Sequence, residues 1–333
     1  MAESSTIEWT DATWQPITGC AIVSPGCTNC YAMKLAGTRL RNLPSRKGLT
    51  VPTKAGPVWN GKVRLNEEWL IQPLKWRRPR KIFVCAHGDL FAEGVPDAWI
   101  DRVFAVMAGA PQHTFQVLTK RSDRMRAYLT ALSERMRTLD CDSGLDFVRL
   151  PLPNVWLGVS AEDQRRADER VPDLLATPAA VRWVSAEPLL GPIDFTNIRP
   201  RDRYEINALG GYDFDQGTCC ERLDWIVVGG ESGPGARPMH PDWARQIRDA
   251  CATAGVAFHF KQWGAWLDEA LATRSGLAPG AHMFDRYGQP KGNGWHPYEA
   301  SDRNGGALIR IGKKAAGRLL DGVEHNGMPE ARS

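Results

Sequence analysis

The chain has no apolar run near the roughly 18 residues that would cross a membrane as a helix. Its start, Met1-Ala2-Glu3-Ser4-Ser5, has neither a basic segment nor an apolar one behind it, so no secretory leader is expected. The common nucleotide and hydrolase signatures are missing too. There is no P-loop, no G-x-G-x-x-G after a strand, no H-E-x-x-H and no G-x-S-x-G. Short repeats and low-complexity tracts are absent. Excess charge is slight: 42 Lys and Arg against 38 Asp and Glu leave a net +4. Bulk charge therefore does not mark a nucleic-acid binder, and only a local concentration would. Cysteine is sparse, with eight among 333 residues, which excludes the disulfide framework of a small secreted domain. A cytoplasmic protein with reduced thiols and no membrane partner is the expectation.

What is present is uneven. Three of the cysteines fall in one stretch, Cys20, Cys27 and Cys30, in a C-x6-C-x2-C pattern. An extended chain from Cys20 to Cys27 would span about 24 Å, so the loop must double back. Pro25-Gly26 supplies the turn, since Pro presets φ and Gly tolerates the left-handed region. Three thiols admit several readings. They can be buried filler. They can hold a structural zinc with a fourth ligand such as His87 or another cysteine. They can hold a 4Fe-4S cluster with one iron open to a substrate or cofactor.

After this loop the pattern becomes regular. Tyr31 to about Leu40 reads as a short helix, residues 42–62 as a surface loop, and Leu65 to Leu74 as a short helix. The basic run Leu74-Lys75-Trp76-Arg77-Arg78-Pro79-Arg80-Lys81 suits either a solvated loop or a grip on phosphates with Trp76 stacked on a base. Apolar strands at 82–86, 114–118, 155–159, 181–185, 225–228 and 256–260 alternate with helical patterns at 96–110, 122–137, 162–176 and 241–254. Another strand is expected just before Cys20, and Cys141 falls in a loop. Such alternation means βαβ units around a parallel sheet. Each strand ends in polar residues, namely His87-Gly88-Asp89, Thr119-Lys120-Arg121, Ser160-Ala161-Glu162, Ala186-Glu187-Pro188, Gly229-Gly230-Glu231 and Lys261-Gln262-Trp263. In (β/α) barrels the site is built at that end. The fold class is therefore α/β, a partial or full parallel (β/α) barrel over residues 1–266, with an open doubly wound sheet as the alternative. A polar insertion at 191–222 carries Cys219 and Cys220. A C-terminal extension, 267–333, packs on the barrel with two short helical patches at most, one at Lys313 to Leu320.

Several motifs extend beyond the cysteines: Ile7-Glu8-Trp9-Thr10, Thr119-Lys120-Arg121, Gly158-Val159-Ser160, Glu187-Pro188-Leu189-Leu190, Gly229-Gly230-Glu231-Ser232 and Lys261-Gln262-Trp263-Gly264. Together with the cysteine loop they resemble the phage gene-product thirty-seven/sixty-eight family, also described by its three-cysteine motif. That family is in turn similar to radical S-adenosylmethionine enzymes. The resemblance implies a barrel of the radical-enzyme type and a 4Fe-4S cluster on Cys20, Cys27 and Cys30. It implies S-adenosylmethionine on the open iron and 5′-deoxyadenosyl radical chemistry on a nucleotide or nucleic-acid substrate. Gly229, Gly230 and Glu231 would then hold the methionine amino group, with Ser160 and Glu162 beside the cofactor and Lys120, Glu187 and Lys261 as catalytic candidates. A reductant such as flavodoxin or ferredoxin and a methyltransferase-like partner protein are further implications. Two departures from the radical enzymes stand out. Their usual spacing is C-x3-C-x2-C, and here Gly-Gly-Glu follows a late strand rather than the second. The alternative reading is a non-catalytic, nucleic-acid-associated protein with a structural zinc site.

Overall fold

The structure is a computed structural model, and it describes residues 5, 7–143, 150–201, 205–268, 271–272, 295–298 and 306–330. Seven strands form one sheet: β1 (Ala12–Trp14), β2 (Lys81–Val84), β3 (Thr114–Thr119), β4 (Val155–Ser160), β5 (Val181–Ala186), β6 (Trp225–Gly229) and β7 (Ala257–Gln262). They lie side by side in chain order, and every pairing is parallel. Strand order never reverses, so the doubly wound alternative is excluded.

The sheet is curled into a half-barrel, and its aromatic filling shows this. The ring of Trp9 lies 4.9 Å from Phe83 on β2, 5.3 Å from Trp183 on β5 and 5.8 Å from Trp225 on β6. In a flat sheet β2 and β6 would be about 19 Å apart. One indole reaches both only because the strands wrap around it. Period-two alternation sorts the two faces. Phe83, Trp156, Trp183, Trp225 and Val227 fill the inside, while Ile82, Val117, Leu157, Val184 and Ile226 face the helices. Gly158 makes this packing possible, since a Cβ there would sit 2.4 Å from the Trp183 ring.

The outer layer contains α2 (Asp97–Ala108), α3 (Ser122–Ser143), α4 (Gln164–Leu175) and α5 (Pro241–Ala254), whereas α1 (Tyr31–Gly37) lies apart from it in the first crossover. Local signals set their ends. Asp163 caps α4 by accepting from Arg166 N, and α5 starts at Pro241 and ends on Gly255 at φ 64°. The α3 helix runs further than its pattern suggested and includes Cys141, which the sequence had placed in a loop.

Three other expectations change. Within residues 42–62 the chain forms a hairpin, Thr50–Thr53 against Gly56–Trp59, rather than a plain loop. Trp76 does not face solvent. It is buried at the entry to β2, edge-on to His113 with the Arg80 guanidinium 4.7 Å above it. That entry is the N-terminal rim, the opposite end from the cysteine loop. In the C-terminal extension an antiparallel sheet stands where only helical patches were expected. It contains β8 (Trp266–Asp268), β9 (Trp295–Tyr298) and β10 (Gly306–Arg310) in the order β8-β10-β9. The Lys313–Ala316 helix follows. Beyond it the chain runs along β7, where Gly327 N donates to Phe258 O and Phe260 N to His325 O, which covers that sheet edge. Residues 269–270, 273–294, 299–305 and 331–333 of the extension lie outside the described residues. The 191–222 insertion holds a small sheet of Ile206–Asn207, Tyr212–Asp213 and Thr218–Cys219.

Candidate functional site

All seven strands point the same way, so their polar ends share one rim, and the cysteine loop leaves β1 at that rim. Four tethers hold the loop down. Gly26 N donates to Glu162 Oε1 at 3.1 Å, past the end of β4. Asn29 Nδ2 donates to Glu231 Oε2 at 3.0 Å, past the end of β6. Arg237 Nη2 donates to Pro25 O at 3.0 Å, and Arg121 Nη2 to Ala21 O at 3.0 Å. Gly26 has to be small, because a Cβ there would meet the Glu162 carboxylate at 3.1 Å.

The rim carboxylates are paired with cations. Arg121 binds Asp89 at 3.1 Å and grips Glu93 with two nitrogens, and its Nη1 also points at Cys20 Sγ, 3.3 Å away. Asp89 additionally accepts from Thr119 Oγ1. Glu162, with its side chain fully buried, meets Arg170 at 3.0 Å. Glu187 accepts two contacts from Lys261 Nζ, at 2.8 and 2.7 Å, and one from Gln262. Glu231 is held by Arg237 from its side chain and its backbone N. Glu231 is thus already saturated by protein donors. Gly230 is equally committed, since a Cβ there would lie 2.0 Å from the Trp263 carbonyl oxygen, and Gly229 backs onto the Glu187 carboxylate. Ser160 is buried, and its carbonyl accepts from Arg170 Nη1 at 2.7 Å. Lys120 is half-buried, and its charge acts on Glu162. The expected site residues therefore fall into two groups. The cysteine loop gathers Glu162, Glu231 and, through Arg121, Asp89. Glu187, Lys261, Gln262 and Gly229 form a second cluster at the ends of β5 to β7.

Arg170 and Arg237 escaped the sequence reading. Arg170 left one trace: it shares the apolar stripe of α4 with Ala167, Val171 and Leu174, and a charge on such a stripe implies a buried partner. Arg237 left none.

The three thiols are all half-buried. Burial first, then the Asp89 charge, pushes the Cys20 thiol up to about 12, against the pull of Arg121. A fourth thiol, Cys85, is buried just past β2 in left-handed backbone at φ 57°. As donors the three loop thiols suit a three-thiolate cluster in kind, being soft ligands on one loop next to a guanidinium that offsets their negative charge. Among the described residues, no three His, Cys, Asp or Glu side chains converge closely enough to hold a metal ion. Loading would have to displace the Cys20 proton.

Ionisation of this region makes an acid-sensitive fold. Burial, then Arg46, pushes His87 down to about 4, and burial, then Arg318, does the same to His259 on β7. Both fall below the free value of 6.5. The unfolded chain therefore takes up these protons first, and stability is lost as pH falls from 6.5 towards 4. His259 alone contributes on the order of 3 kcal/mol to that loss. Glu162 and Glu231 act lower down. Burial would raise each, but Arg170 at Glu162 and Arg237 at Glu231 hold both below 4.5, so their contribution is present above that value and vanishes beneath it. Urea midpoints between pH 8 and 4 should fall continuously from about 6.5, and a flat profile down to pH 5 would contradict this assignment.

Among solved structures, the bacterial orthologue of human α-L-iduronidase shares 11% identity over 69% of this chain, with a TM-score of 0.28. The chain spans about half, 48%, of that protein's length. No match was found among the curated proteins. No helix among the described residues is long and apolar enough to cross a membrane. A family model described as "protein of unknown function (DUF5131)" matches residues 4–329, nearly the whole half-barrel protein, and the chain belongs to that family.

Proposed function

We propose that the protein is an iron–sulfur enzyme of the radical S-adenosylmethionine type, acting on a nucleotide or nucleic-acid substrate. The observation that supports this most is the cysteine loop itself. Three half-buried thiols sit on a loop tied over the C-terminal rim of a parallel half-barrel, with Arg121 against the sulfur of Cys20. Cys20, Cys27 and Cys30 would hold the 4Fe-4S cluster. When bound, the cluster with S-adenosylmethionine supplies reductive cleavage of the sulfonium and a carbon radical that removes hydrogen from the substrate.

The chain's own residues do the positioning. Arg121 stays cationic, with Asp89, Cys20 and Glu93 outweighing its burial, and this lowers the cost of negative charge on the cysteine side. Glu162 and Glu231 fix the height of the loop above the strand ends. The indole-filled interior keeps water away from the strand ends from below. Lys120 and the Glu187–Lys261 pair are the polar groups left to orient a substrate.

Anaerobic reconstitution with iron and sulfide, followed by electron paramagnetic resonance of the reduced protein, tests the reading. A 4Fe-4S signal that changes on adding S-adenosylmethionine is expected, with formation of 5′-deoxyadenosine. Cys20→Ala should bring that product to background while the circular dichroism spectrum is retained. A colourless protein with one tightly bound zinc would replace this reading with the structural-zinc alternative.

A further inference from the structure

Charge is segregated in this molecule. From Ala12 to Asn66 there is no Asp or Glu, while eight Lys and Arg fall in the same span. The whole chain totals only +4, so everything outside this span sums to −4. The span is the first crossover of the half-barrel, and it folds into a lobe of its own. Helix α1 packs on the Thr50–Trp59 hairpin around Met33, Ala36, Leu49 and Trp59, with Cys20 and Cys30 against the same small core. The lobe is therefore continuous with the cysteine loop and stands at the rim.

Its cations lack counter-ions. Arg39, Arg41, Lys47, Lys54 and Lys62 are exposed, and none has a carboxylate partner among the described residues. Exposed lysines alone would mean little. The second observation is Arg46. Four arginines are buried among the described residues, Arg46, Arg121, Arg170 and Arg182. Arg121 has Asp89 and Glu93, Arg170 has Glu162, and Arg182 has Glu221. Arg46, at 5% exposure, has no acid among the described residues. Its Nη1 reaches only the carbonyl of Ser45, its Nε has no partner, and its guanidinium lies 5.9 Å from the Trp69 ring centre. The neighbouring cation Arg64 repels it, and Arg64 itself donates only to the carbonyls of Pro44 and Lys47. His87, whose Nδ1 is likewise buried without a partner, feels the Arg46 charge from the end of β2. A buried cation without an anion is costly, and a same-sign lobe repels itself. Both costs are relieved by an external anion. An aromatic platform stands next to it. Tyr31 is 53% exposed, yet it is held by its hydroxyl on Ala86 O at 2.7 Å and by an edge contact with His87.

We infer that this acid-free lobe binds a single-stranded nucleic acid, with one phosphate on Arg46, the following phosphates on the exposed cations, and a base on Tyr31. Unpaired bases are required because a stacking platform reads only a base whose face is free. This rests on the reading above only in making that strand the substrate.

The metal-free protein suffices for the test. A fluorescein-labelled oligothymidylate is titrated at several salt concentrations, beside duplex DNA and vesicles of phosphatidylserine in phosphatidylcholine. Single strands should bind more tightly than duplex or vesicles. The triple variant Arg39→Glu, Arg41→Glu, Lys47→Glu should weaken binding at least tenfold and reduce the logarithmic salt slope by about 2. Inorganic phosphate should raise the wild-type melting temperature by about 2 °C. Arg46→Met should melt higher than wild type without phosphate and gain nothing from it. A residue that is merely structural would lose stability instead. No oligonucleotide binding at low salt, stronger binding to vesicles, or an unchanged salt slope in the triple variant would each overturn the inference. Failure here beside a cluster signal that responds to S-adenosylmethionine removes the strand and keeps the chemistry, and binding without any cluster does the reverse.

Discussion

Glu162→Ala is expected to cost about 3–5 kcal/mol of stability, because it leaves the Arg170 guanidinium buried without a counter-charge. The effect should extend past the pair. Glu162 also accepts from Gly26 N, so the same change releases one tether of the cysteine loop. Two readouts follow. The urea midpoint should fall steeply, and thiol labelling of the loop cysteines should speed up under native conditions. The double variant Glu162→Leu, Arg170→Met removes both charges and should recover much of the stability, but not the slow labelling, since Gly26 still lacks its acceptor. An exposed pair supplies the contrast. Glu169→Ala breaks the contacts with Arg165 and Arg201 at the surface of α4 and should cost less than about 1 kcal/mol. Equal losses from Glu162→Ala and Glu169→Ala would mean that the buried pair does not hold the rim together.

Trp225→Ala is expected to cost a similar 3–5 kcal/mol. This indole is fully buried at the centre of the half-barrel and packs against Trp9, Trp156, Trp183 and His259. Its Nε1 also donates to Gly327 O at 2.8 Å, which pins the end of the chain to β6. The two contributions separate with Trp225→Phe. That change keeps an aromatic in the cavity and removes the hydrogen bond, so it should lose markedly less than alanine does. It should nevertheless expose the backbone around Gly327 to hydrogen exchange. A tolerated Trp225→Ala would argue against an interior packed as a core.

The sheet was legible because six short apolar runs recur along the chain with helices between most of them, and every such run became a strand of one sheet. The Pro241–Ala254 helix was legible to the residue through its proline start and glycine end. Other elements were hidden for physical reasons. The hairpin at Thr50–Trp59 contains two prolines and three consecutive exposed strand positions, so no alternation marks it. Strands β8 to β10 are short, and β8 lies far in sequence from the pair it joins. Trp76 in a basic run looked like a surface aromatic, but the fold turns it onto His113. At the site, the cysteine loop and the acidic strand ends could be read one by one. Which acid takes which base could not, since Glu187 and Lys261 are 74 residues apart and only the curl of the sheet brings them together.

The tethers of the cysteine loop have a consequence for biosynthesis. Gly26, Asn29 and Pro25 wait for partners 136, 202 and 212 residues downstream. A ribosome adds about 5–20 residues per second, so roughly 10–40 s pass between the emergence of Cys30 and that of Arg237. Throughout that interval the loop that carries the three thiols lacks at least its Arg237 tether. Whatever is delivered to the thiols then goes onto an incompletely tethered segment, and the sixth strand with Glu231 and Arg237 completes the fastening.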